Sequence, residues 1–286
     1  VNPPERPPRT LTALRYVQPL REGGSLPAVV DTDGGLFVVK FRGAGQGPRA
    51  LVAEVIVTLL ARRLGLPTPD LALINIHPAF GRSEADPEIQ DLLRASHGTN
   101  VGLRYLDGAF NFALSAAGDL IDPEFATRLV WLDAFVTNPD RTHRNPNLMV
   151  WERRPWLIDH GAALYAHHDW DRVDSARVRT PFPLIRDHVL LGAASGLDEM
   201  DASLADLLTP DVLGSIIASV PDDLLVDGGD TADETDDVEQ QVGRARERYI
   251  SYLTERLEAP RAFVAEAVRA RQALDSDPRR RLEVRR

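Results

Sequence analysis

The sequence predicts an α+β protein: a small antiparallel sheet with one buried helix, followed by a mainly helical part. Three observations carry this. Short apolar runs alternate with Gly- and Asp-containing turn signals through residue 41, residues 50–61 are apolar nearly all round, and from about residue 109 helical spacing dominates. With 286 residues, 43% of them hydrophobic, the chain is long enough for one large domain or two smaller lobes.

In chain order, LTALRYV, LPAVV and LFVVKF read as strands of an antiparallel meander, separated by the turn signals EGGS and DTDGG. Residues 49–64 read as a helix ending at Gly65, with Pro67 beyond it. DLALINI is a further strand, residues 78–98 are polar with a short helical piece, and NVGLRYL is another strand. EFATRLVWLDAFV then reads as a helix, and NLMVW and WLID, linked by ERRP, as a short hairpin. The acidic, Gly-containing stretch 222–241 is expected to be a loop or linker, and roughly 243–274 a last helix.

Composition removes several classes of function. The chain has no cysteine, which excludes a disulfide framework, a thiolate metal site and a cysteine nucleophile, and points to a cytoplasmic home. A net charge of −10 disfavours nucleic acid or an anionic bilayer as the main ligand, and no apolar run is long enough to span a membrane. The glycines of Gly43-Ala44-Gly45-Gln46-Gly47 follow a strand, but their spacing is not that of a dinucleotide-binding turn. His143, His160, His167 and His168 match no zinc pattern.

Two lone charges stand out. Of the 33 basic residues one is lysine, Lys40, at the end of the strand LFVVK. Glu54 is the only charge in ALVAEVIVTLLA, and no cation shares its helical neighbourhood. A buried carboxylate costs several kcal/mol unless it meets a positive partner, so each residue accounts for the other. The alternative is that Lys40 snorkels from an edge strand while Glu54 reaches solvent or bonds Thr58.

The stretch TNPDRTHRNPNLMVWERRPWLIDHG adds three polar residues just outside strand cores: Asp140, Asn145 and Asp159. Turn chemistry alone could account for either Asn-Pro motif. A register in which Trp151 faces Trp156 would set Leu148 opposite Asp159 and bring Asn145–Asn147 to the same open end. Directly opposed side chains stand ~5 Å apart, so an amide oxygen and a carboxylate there can share a hard cation such as magnesium. Asp140, projecting toward the same point, could accept a proton from an attacking hydroxyl.

Lysine in a strand, glutamate in the next helix, Asp-x-x-x-x-Asn before a hairpin and Asp-x-Gly after it is an order suited to phosphoryl transfer from a nucleotide. With these residues the chain resembles the protein-kinase-like superfamily, and within it the HipA-like bacterial kinases, over about residues 20–165. The Asp-Phe-Gly of ordinary kinases is here Ile158-Asp159-His160-Gly161, and His-Arg-Asp is Asn138-Pro139-Asp140. Classical HipA toxins carry an additional N-terminal subdomain, whereas this chain reaches its Gly-rich turn within 25 residues, so the resemblance does not carry toxin function or antitoxin docking across.

The resemblance implies a two-lobed fold: an N-lobe over 1–103, a hinge at 104–108 and a helical C-lobe over 109–286. It implies that Lys40 holds the α and β phosphates of ATP and pairs with Glu54, and that Asp140 is the catalytic base. Asn145 and Asp159 would bind Mg2+, with Asn147 the competitor for the amide position. Gly23, Gly24 and Ser25 would form the phosphate-covering turn, with Ser25 resembling a regulatory phosphorylation site. The strand end from Arg104 to Leu106 would meet the adenine through its backbone, and Asp107 the ribose. The implied activity is transfer of the γ-phosphate of Mg-ATP to a Ser/Thr hydroxyl on a protein. The alternatives are a small-molecule kinase, an AMP-transferring enzyme of the same fold, or a nucleotide-binding pseudokinase whose acidic linker and last helix bind a regulatory partner protein.

Overall fold

The computed structural model describes residues 7–20, 26–82, 84–226 and 237–276. Gly23, Gly24 and Ser25 lie outside the described residues, as do residues 227–236 of the acidic stretch. The fold is a mixed α+β arrangement. Strands β1 (Arg9–Pro19), β2 (Ala28–Thr32), β3 (Gly35–Lys40), β4 (Leu71–Ile76) and β5 (Gly98–Arg104) close into a barrel in the order β1-β2-β3-β5-β4. Helix α1 (Gly47–Arg63) follows β3, and α2 (Pro87–Ala95) links β4 to β5.

The closure corrects the expected all-antiparallel meander. Four of the five pairings are antiparallel, but β1 and β4 run parallel, with Arg9 beside Ala72 and Thr12 beside Asn75. A parallel contact between distant strands leaves no hairpin signal in the sequence, which is why local patterning misses it. Inward-pointing Ala28, Val30, Phe37, Val39, Ala72 and Ile74 fill the barrel. Gly102 makes the closure possible: a Cβ there would stand 2.9 Å from Ile74 Cγ1 and 3.3 Å from Phe37 Cβ.

Because strand side chains alternate, Phe37 and Val39 enter the barrel while Val38 and Lys40 point out of it. Outside lies α1, every residue from Ala50 to Ala61 of which is buried. One face of α1 meets the barrel, and the rest joins a second, larger core that continues into the C-terminal helices. The helix ends as expected at Gly65, which adopts φ +78°, and Arg128 donates to the Leu64 carbonyl just past the last turn.

Beyond β5 the chain forms β6 (Phe110–Asn111), α3 (Leu114–Ala117) and α4 (Pro123–Phe135), then the hairpin β7 (Leu148–Trp151) and β8 (Arg154–Leu157). Asp122 caps α4 by accepting the Phe125 amide at 2.7 Å, with Pro123 in the first turn. Helices α5 (Ser175–Val178), α6 (Leu197–Asp206), α7 (Pro210–Ala218), α8 (Asp222–Val226), α9 (Val238–Leu257) and α10 (Ala262–Ser276) complete the chain. Part of the expected loop 222–241 is thus helical, and the expected single last helix is two, broken at Pro260 where a proline cannot continue the ladder.

The hairpin register also differs from expectation. Trp151 pairs with Arg154 and Leu148 with Leu157, so Leu148 does not oppose Asp159. The turn is the two residues Glu152 and Arg153, both at positive φ (+47° and +59°), a tighter reversal than ERRP suggested. Trp151 and Trp156 still meet edge to face across the diagonal, 5.2 Å between ring centroids. No helix among the described residues is long and apolar enough to cross a membrane.

Candidate active site

Lys40 leaves the end of β3 and reaches Glu54 on α1, Nζ to Oε2 2.6 Å, and Asp159 just beyond β8, Nζ to Oδ1 2.5 Å. The Glu54 side chain is 1% exposed and that of Lys40 12%, whereas that of Asp159 is 42% exposed and open to solvent. Burial would depress the Lys40 pKa, but the two carboxylates outweigh it and hold the ammonium above its ordinary value. Burial likewise opposes ionisation of Asp159, and the neighbouring ammonium overrides it, holding the carboxyl below its usual range. Glu54 Oε2 also accepts the backbone N–H of His160 at 2.8 Å, while its Oε1 is buried without a hydrogen-bond partner among the described residues.

The second half of the site follows α4. Thr137, at φ +52°, turns the chain out of the helix, and Asn138 shapes the loop by accepting the Asp140 amide on its side chain at 3.1 Å. Both nearby amides then converge on Asp140: Asn145 Nδ2 at 2.9 Å and Asn147 Nδ2 at 3.1 Å share its Oδ2. Asn147 is buried and at φ +47°, Asn145 exposed. The Ile158 amide donates to the Asn147 carbonyl at 3.1 Å, so Asp159 emerges one residue from Asn147's neighbour in the hairpin mouth, itself at φ +54°. Left-handed backbone at three non-glycine positions around one cleft is strain of the kind held at functional sites.

These donors suit a hard cation. Each asparagine spends its amide nitrogen on Asp140, which leaves its oxygen for another partner, and Asp159 is an accessible carboxylate with one oxygen on Lys40. Among the described residues no cluster of three or more His, Asp or Glu side chains could hold a metal unaided. A site of one carboxylate and one or two amide oxygens fits magnesium shared with phosphates.

The expected hinge lies at the end of β5. Lys40 pairs with Val101, three residues before Arg104, a span of roughly 10 Å along a strand. Arg104 is exposed, its amide donating to the Asp70 carbonyl and its guanidinium 3.6 Å from the Asp70 carboxylate. The Tyr105 amide donates to Leu36 O, Leu106 is buried, and the Asp107 carbonyl accepts Trp151 Nε1 at 2.9 Å.

The sequence reading missed a buried polar cluster beneath the loop. Asp133 and Arg141 are fully buried and meet at 2.6 Å, Nε to Oδ2. Asn138 Nδ2 and His188 Nε2 each reach Asp133 at 3.0 Å, and Arg141 also contacts His160 Nδ1 at 3.1 Å. Burial would raise the Asp133 pKa; the Arg141 charge and the two hydrogen bonds reverse this and hold it well below the carboxylate range. Burial pushes His160 down to about 4, Glu54 opposing and Arg141 reinforcing the shift. Asp133 had a signal: it is the one charge inside VWLDAFV, as Glu54 is in its helix. Arg141, one among 32 arginines, had none.

A family model described as HipA-like kinase matches residues 17–249 of the chain. Among curated proteins there is no match. Among solved structures, the crystal structure of a Helicobacter pylori proinflammatory kinase, CtkA, aligns at a TM-score of 0.49 and 14% identity, covering 94% of this chain and 99% of that one.

Proposed function

The chain belongs to the HipA-like kinase family, and from that premise we propose that it transfers the γ-phosphate of Mg-ATP to a Ser/Thr hydroxyl on a protein. The observation that carries this is the Lys40 ammonium, held at 2.6 Å from buried Glu54 and 2.5 Å from Asp159 at the mouth where Asp140 stands. An ammonium fixed by two carboxylates, one of them buried, is placed to bind phosphate oxygens at little reorganisation cost.

In this reading the barrel and α1 form an N-lobe over 1–103, residues 104–108 the hinge and 109–286 the C-lobe. The amides of Arg104 and Tyr105 are spent on Asp70 and Leu36, so the Leu106 amide is the donor we assign to the adenine edge, with Asp107 at the ribose. Gly23, Gly24 and Ser25, outside the described residues, would take the phosphate-covering role that the family resemblance implies. Lys40 binds the α and β phosphates and Glu54 orients it. Asp159 with Asn145 or Asn147 would hold Mg2+, which when bound neutralises charge on the phosphate oxygens. Asp140, its Oδ2 fixed by two amides, keeps Oδ1 for the acceptor hydroxyl, orienting it and taking its proton as the phosphate is transferred.

Incubation with ATP labelled at the γ- or the α-phosphate, followed by analysis of the protein and of added acceptor proteins, tests the proposal. Label from the γ position alone supports it. Label from the α position alone would replace it with AMP transfer, and nucleotide binding without incorporation of either label would leave a pseudokinase.

A further inference from the structure

Asp140 and Arg141 are neighbours in sequence and opposites in environment. Asp140 is half-buried at the mouth, and Arg141 is 1% exposed beneath it. Each arm of the Arg141 guanidinium has a different task. Nε donates to Asp133, NH1 contacts the Asn147 carbonyl closely with Pro146 O and Ile158 O at 3.4 Å, and NH2 meets His160 Nδ1. Asn147 and Ile158 are the first residues outside the Leu148–Leu157 pair, one on each strand. The guanidinium therefore stands at the point where the hairpin opens.

Its counter-charge is also fixed. Asp133 accepts Asn138 on one oxygen and shares the other between Arg141 and His188. His188 accepts the Leu190 amide on Nδ1 at 3.0 Å, which leaves the proton on Nε2 and aims it at Asp133. His160 extends the chain of contacts upward, its ring on Arg141 and its backbone amide on Glu54. A buried ion pair is weak support for stability as such, since apolar residues often replace one without loss. A planar fork that spends its donors on carbonyls from two strands instead fixes the distance between them, which a lysine cannot do.

We infer that Arg141 is a positioning residue: it sets the span across the hairpin mouth between the Asn145/Asn147 amides and the Asp159 carboxylate, and the place of Asp140 between them. The inference rests on the magnesium-nucleotide reading of those ligands. Acting through backbone carbonyls, Arg141 touches neither metal nor nucleotide itself.

Arg141→Lys keeps a positive charge for Asp133 and removes the fork. Mn2+ titrated into the variant with a non-hydrolysable ATP analogue, followed by water-proton relaxation, is expected to bind about 10–100-fold more weakly, while the metal-free analogue binds within about threefold of wild type. Wild-type metal affinity in a folded Arg141→Lys protein overturns the inference. If that variant does not fold, His160→Phe removes only the NH2 arm; a smaller weakening of the metal supports the inference, and unchanged metal affinity overturns it. A wild type that binds Mn2+-nucleotide but transfers no phosphate refutes the kinase reading alone and leaves this comparison intact. A wild type that binds no nucleotide moves the comparison to amide hydrogen exchange, where faster exchange of the Ile158 amide in Arg141→Lys supports the inference and unaltered exchange overturns it.

Discussion

Lys40 and Asp159 are 119 residues apart in the chain, yet Lys40 Nζ lies 2.5 Å from Asp159 Oδ1 while holding Glu54 at 2.6 Å. One ammonium thus joins a barrel strand, the buried helix and the hairpin. Without it, Glu54 would keep the His160 amide as its only donor among the described residues, where its Oε1 is already unpartnered. We expect Lys40→Met to cost about 3–5 kcal/mol in urea unfolding, the range for stripping the partner from a buried charge. Lys40→Met with Glu54→Gln should recover most of that stability and none of the phosphate transfer. A Lys40→Met single variant as stable as wild type would mean that the carboxylate finds water despite its burial.

Asp140 and Asp159 should separate cleanly in kinetics. Removing a group that accepts a proton during transfer costs about 10²–10⁴-fold in turnover. Asp140→Ala should therefore lose turnover to that degree while ATP affinity, read by calorimetry, stays within a few-fold. Asp159→Ala should weaken binding of Mg-ATP itself. Unaltered turnover in both variants contradicts the assignment.

What the sequence made legible was charge where charge is costly. Lys40 and Glu54 could be paired on paper because each is alone in an apolar segment, and the structure puts them in contact. Contacts set by distant closure were not legible: the parallel β1·β4 pairing has no local signature, and the Glu152-Arg153 turn lacks the Asn-Gly that announces its type. The hairpin was therefore read two rungs out of register: at its mouth the Ile158 amide, one residue before Asp159, donates to the Asn147 carbonyl. Arg141 was illegible for a different reason, since nothing in an arginine-rich sequence tells a buried guanidinium from an exposed one.

Three buried histidines predict the acid limb of stability. Burial pushes His160 down to about 4 and His167 down to about 3, and lowers His188 as well, against about 6.5 for an ordinary histidine. As pH falls below that ordinary value the unfolded chain takes up these protons and the folded chain does not. The stability they contribute is therefore complete above about pH 6.5 and is lost as pH falls toward the folded-state values, at about 1.4 kcal/mol per pH unit for His160 and for His167. Asp133, whose carboxyl is depressed, adds a further loss as pH falls below the usual carboxylate range. Urea midpoints at pH 7.5, 6.5 and 5.5 should fall accordingly, and His167→Phe should flatten the slope by about one proton. Stability that holds level from pH 6.5 to 5.5 would show that these rings are not buried in neutral form.

The far end of the hairpin offers a test of what holds its mouth. Glu152 and Arg153 are exposed and both left-handed, a conformation that costs an ordinary residue about 1–2 kcal/mol and that Asn-Gly adopts readily. Glu152→Asn with Arg153→Gly should stabilise the protein by about 1 kcal/mol, after allowing for the freedom glycine gains in the unfolded chain. From the Trp151–Arg154 pair to the Leu148–Leu157 pair is roughly 10 Å of ladder. If Arg141 rather than the turn sets the mouth, turnover and metal affinity should be unchanged in this variant even as its urea midpoint rises. A rise in stability accompanied by altered metal affinity would place control of the mouth in the turn, and the same measurement on Arg141→Lys would then show no larger effect.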